Sequence, residues 1–241
     1  MQAQTSVQPY ASSARDPRFY GVMALATLVT AVAGFGPSYY ARAYTGGSPL
    51  SAIVHIHAAV FTLWLLLFVV QTMLIKIGRV DIHRSLGLVG FALVPVMLVL
   101  GVETAIYGGR NGWNPGGPAP DALGFMTIGL GDILLFSGFA ATGLYFRRRK
   151  ELHKRLMLLA VIGGLMFPAI TRIPHIAPHP APMFGILGLL LLAGPGYDLL
   201  TKRRLHAVDV WGGLIIIASF PLRAAIANTA FWHSFALWLI R

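Results

Sequence analysis

Residues 51–103 read SAIVHIHAAVFTLWLLLFVVQTMLIKIGRVDIHRSLGLVGFALVPVMLVLGVE, and this stretch decides the fold. Two apolar runs, Leu50 to Ile75 and Leu86 to Tyr107, each reach the roughly 20 residues that cross a bilayer. A short basic turn joins them, so the ends carrying His55, His57 and Glu103 return to the same side of the membrane. Ionisable groups that hydrocarbon excludes are thereby collected in one place.

The whole chain follows the same pattern. Of 241 residues, 56% are hydrophobic and 11% charged, against about a quarter charged in a soluble domain. Lipid offers no partners to backbone N–H and C=O groups, which leaves helices or a closed barrel. The apolar runs are continuous rather than alternating, which excludes a barrel. The fold class is all-α, a polytopic membrane helix bundle of about seven transmembrane helices. Further runs are Phe19 to Tyr40, Ala122 to Phe146, Leu156 to Ile173, Met183 to Leu200, and one from Val208 that Pro221 should kink. Residues 1–18 form a polar tail, residues 19–229 the transmembrane domain, and residues 230–241 an interfacial segment too short to span. The chain has no cysteine, so any metal binds through histidine, carboxylate or backbone oxygen.

The net charge of +11 does not point to nucleic acid. Its basic residues cluster in three short turns: Lys76, Arg79 and Arg84; Arg147 to Lys150 with Lys154 and Arg155; and Lys202 to Arg204. That is the positive-inside pattern. It predicts a cytoplasmic amino terminus and a periplasmic carboxyl terminus.

The turns also hold a repeat. Arg79-Val80-Asp81-Ile82-His83-Arg84-Ser85-Leu86 matches Arg149-Lys150-Glu151-Leu152-His153-Lys154-Arg155-Leu156, with a weaker copy at Lys202 to His206. One helix followed by three helical hairpins would produce it. His83, His153 and His206 are haem or proton-relay ligands on one reading. On the simpler one they belong to interfacial helix starts, with Asp81 or Glu151 at the positive helix end and basic residues on lipid phosphate.

The remaining ionisable residues crowd toward the half away from the basic turns. His57 shares a helix face with Phe61, Trp64 and Gln71, and His55 points to the opposite face. Asp132 falls about 15 Å into its helix, near the midplane. Its candidate partners are His57, Arg172 and Arg223, and a plain packing ion pair is the competing account. His175 and His179 have a metal-like spacing, though Pro174, Pro178 and Pro180 break the helix that would align them. Arg110, Trp113 and Asn114 lie in a Gly/Pro-rich loop placed to cap a cavity. His57, Glu103 and Asp132 are thus the candidate cofactor ligands, His55, His57, His175 and His179 the candidate metal ligands, and Arg172 and Arg223 the charge partners. A zinc, iron or copper ion, or a b-type haem, suits such donors.

At HIHAAVFTLWLLLFVVQ (55–71), GRVDIHRSLG (78–87) and ELHKRLMLLA (151–160) the chain resembles a family of uncharacterised bacterial multi-pass membrane proteins. The HRSLG and HKRLM segments also resemble membrane proteins of cytochrome-oxidase maturation. The resemblance implies a bacterial inner membrane and a respiratory setting, and it assigns no catalytic residue. Seven spans with His175-x-x-x-His179 are similar to the membrane hydrolases that include alkaline ceramidases and adiponectin receptors. The paired histidines here, however, lie in a Pro-rich loop rather than on the last helix. Three functions follow as expectations: a metal- or haem-binding inner-membrane protein, a non-catalytic subunit or assembly factor of a larger membrane complex, and a transporter or metal-dependent membrane hydrolase.

Overall fold

The computed structural model describes residues 16–42, 44, 46–114, 119–176 and 179–241. Most of the polar tail, and Pro178, lie outside the described residues. Seven helices are long and apolar enough to cross a membrane. These are α1 (Asp16–Tyr40), α2 (Ala52–Lys76), α3 (Val80–Arg110), α4 (Ala122–Tyr145), α5 (Lys150–Ile170), α6 (Pro180–Lys202) and α7 (Ala207–Ala227). A short α8 (Ala230–Leu239) follows. No strand occurs among the described residues.

Helix α5 is the axis of the bundle. Ala160, Val161, Met166, Ala169 and Ile170 are fully buried, and α5 packs on α1, α4, α6 and α7. In lipid, apolar side chains gain little by leaving hydrocarbon, so helices associate where small residues allow close approach. Gly34 of α1 lies against the backbone of Ala169, where an added Cβ would fall 2.0 Å from the carbonyl oxygen. Gly164 plays the same part toward α4, with a virtual Cβ 2.7 Å from the Asp132 carbonyl. Around it, α5 widens into a π turn over Ile162–Met166, just before Pro168. Such turns absorb irregular packing and recur at functional sites.

Two of the expected hairpins, α2 with α3 and α4 with α5, pack closely, while α6 touches α7 less. Helix α3 begins at Val80, six residues before the apolar run. Its first turn is polar and carries an Arg79–Asp81 ion pair of 3.1 Å, so the helix extends past hydrocarbon into the interface. Pro221 stays inside a continuous α7. Helix α8 folds back on α4: Trp232 Nε1 donates to the Leu123 carbonyl at 2.7 Å, and Ala236 is fully buried.

Candidate functional site

Polar side chains inside the bundle fall into three groups. The first lies in the half away from the basic turns. Arg223 of α7 reaches α4, where Nη1 donates to Asp132 Oδ1 at 2.6 Å and to the Ile128 carbonyl at 3.0 Å. Ser219, one turn earlier, accepts from Arg223 Nε and Nη2. Gly131 makes the crossing feasible, because a Cβ there would lie 2.1 Å from Arg223 Cδ. Both charged residues are almost fully buried. Asp132 Oδ2 has no hydrogen-bond partner among the described residues.

His57 stands apart from that pair. It stacks on Phe61 with ring centres 3.9 Å apart, and its Nδ1 meets Thr104 Oγ1 at 3.1 Å. The Thr104 hydroxyl gives its one proton to the Leu100 carbonyl. Toward His57 it therefore accepts, so His57 Nδ1 carries the hydrogen. His55 is exposed on the other face and bonds the Tyr39 hydroxyl at 2.9 Å. Glu103 is exposed, facing out of the bundle. His175 and His179 are exposed in the loop before α6, and His175 adopts a positive φ of 64°. Of the eight side chains that the sequence singles out, only Asp132 and Arg223 meet. No group of three or more His, Asp or Glu among the described residues could hold a metal ion. The groove of about 360 Å³ between α1 and α2, lined by Leu28, Val32, Tyr40, Thr62 and Leu65, contains no histidine or carboxylate.

The second group is a charged network at the basic-turn end. Arg155 of α5, 1% exposed, pairs with Asp198 of α6 at 2.7 Å, with Asp209 of α7, and with Glu151 at 3.5 Å. Lys154 pairs with Asp16 of α1 and with Glu151 at 2.6 Å. Lys202 of α6 reaches Asp16 and Asp198, each at 3.3 Å. Tyr197 donates to Asp16 at 2.9 Å and stacks on Phe19. Four helices are thus tied by side chains that sequence reasoning gave to headgroups or passed over. An acid at the edge of an apolar run, as at Asp198 and Asp209, was the available signal.

The third group joins the two main copies of the repeat. His83 opens α3 and His153 opens α5, and their ring centres lie 6.3 Å apart at 80°. His153 Nδ1 donates to the Gly143 carbonyl of α4 at 2.8 Å. A carbonyl only accepts, so Nδ1 is protonated and Nε2 keeps its lone pair. Among the described residues, His83 Nδ1 is buried without a hydrogen-bond partner, as is Gln71 Oε1 of α2. The Gln71 side chain lies against Gly87, one turn after His83 on the same face. The third repeat histidine does not join them. His206 caps α7, its Nδ1 accepting from Val208 N–H at 3.2 Å. Burial holds its imidazole below the ordinary histidine value, which keeps that acceptor unprotonated.

Outside the spans, His233 of α8 bonds Asp121, the N-cap of α4, at 3.1 Å. The Thr229 carbonyl and the Asp121 carboxylate raise the His233 pKa above its ordinary value. The Gly124 N–H, with His233, lowers that of Asp121. No family model, curated protein or solved structure matches the chain.

Proposed function

We propose that this multi-pass membrane protein binds a metal ion through His83 and His153, at the end of the bundle that carries the basic turns. The observation that carries the reading is their convergence. Two histidines at equivalent positions of a sequence repeat, 70 residues apart in the chain, come within 6.3 Å across α4. Metal–nitrogen bonds of about 2.0–2.1 Å and about 1.2 Å from nitrogen to ring centre put two opposed imidazoles roughly 6.4–6.6 Å apart. The bond from His153 Nδ1 to a backbone carbonyl is the usual outer support of a ligating histidine. Imidazole donors suit copper, iron and zinc. Copper or iron would place the protein in the redox or respiratory setting that its HRSLG and HKRLM segments resemble.

A second reading shares the site. Two axial imidazoles on a b-type haem have nearly the same spacing. In either case the positive-inside bias supports a site on the cytoplasmic side of a bacterial inner membrane. Protein purified without chelators is tested by elemental analysis and an absorption spectrum. About one metal per chain without a Soret band supports the ion, and a Soret band supports haem. Neither metal nor Soret absorption contradicts both.

A further inference from the structure

Arg172 follows the last turn of α5, at the end away from the basic turns. Its Nη1 donates to the Pro168 carbonyl at 2.6 Å. The guanidinium lies against two rings, 5.1 Å from the centre of Phe35 and 5.2 Å from that of Trp113. Among the described residues it makes no ion pair: Asp132, the carboxylate whose field it feels, is taken by Arg223. The Nε–Nη2 edge has no acceptor among the described residues. Burying a cation costs hydration, and ring contacts return only part of it. Since Asp132 is already paired with Arg223, no carboxylate among the described residues pairs with Arg172.

We infer that the Nε–Nη2 edge of Arg172 binds a phosphate group. A guanidinium edge offers two parallel N–H donors at the spacing of two phosphate oxygens, a match that an ammonium lacks. Phe35 and Trp113 flank the guanidinium and limit how far its plane can turn. Trp113, 44% exposed and packed edge-on against Phe125, sits where an interfacial tryptophan meets headgroups. The phosphate belongs to an anionic lipid or is free in solution, and the chemistry of recognition is the same.

The test uses full-length protein in phosphate-free dodecyl maltoside, with the thermal midpoint as readout. One arm adds sodium phosphate against sodium chloride of equal ionic strength. The other adds phosphatidylglycerol against uncharged diacylglycerol. A hundredfold excess over Kd should raise the midpoint by roughly 5–10 °C. Arg172→Gln should abolish the rise, and Arg172→Lys, which keeps the charge without the fork, should retain less than half. A rise with lipid alone assigns the headgroup, and a rise with phosphate alone assigns the free anion. No rise in either arm overturns the site. So does an equal rise in Arg172→Gln or, if that variant does not fold, in Arg172→Lys.

Discussion

Arg155→Met removes the cation at the centre of the charged network while keeping most of the side-chain volume. Arg155 is 1% exposed and faces Asp198, 0% exposed, and Asp209, 8% exposed. After the substitution Asp198 loses this partner and keeps Lys202, at 3.3 Å. Asp209 loses the one cation it pairs with among the described residues. Breaking a buried pair by deleting one partner costs about 3–5 kcal/mol, most of it the penalty of the stranded carboxylate. For a chain of this length each kcal/mol moves the thermal midpoint by about 2–4 °C, so the melting temperature should fall by roughly 6–20 °C. Intrinsic tryptophan fluorescence on heating in a mild detergent reads it. Arg155→Lys separates charge from geometry. An ammonium cannot fork between two carboxylates, so the loss should be intermediate. A midpoint within about 2 °C of wild type for Arg155→Met would show that the network does not hold α5, α6 and α7 together. Equal losses in the Met and Lys variants would refute the part assigned to charge and leave the fork geometry to account for the whole effect.

Three other expectations rest on named contacts. Gly131→Ala drives a methyl into Arg223 Cδ and should cost about 1–3 kcal/mol through overpacking, read as a lower midpoint. Asp132→Leu and Arg223→Met should each destabilise more than the two combined, since an apolar pair strands no charge; a double-variant cycle checks this. The His233 pKa is raised, so the folded state binds the extra proton, and the pair's contribution is present at low pH and lost as pH rises through that value. The lowered value of Asp121 sets the acid limit, where its carboxylate protonates. The protection of the α8 amides, after division by their intrinsic exchange rates, should therefore fall from pH 6 to pH 9, and His233→Gln should flatten the change.

Seven spans are legible in the sequence because an apolar run of spanning length admits one structure in lipid. The start of α3 is not, since the polar turn from Val80 lies beyond hydrocarbon, where hydropathy says nothing of helix. Asp132 with Arg223 was legible as complementary charges at matching depth. The charged network was not, because positive-inside bias already accounts for Lys154, Arg155 and Lys202 at a membrane surface, and only packing reveals that they turn inward. His83 and His153 were visible as a repeat, while their approach depends on α3 and α5 both lining α4. Glu103 shows the converse: depth in a helix does not say which face a residue occupies.

The metal-to-protein ratio of purified His83→Gln and His153→Gln, set beside His57→Gln, bears most directly on the proposed site. The expected result is about one metal per chain in wild type and in His57→Gln, with loss in both repeat-histidine variants. Equal content in all four proteins, or loss in His57→Gln alone, would contradict it.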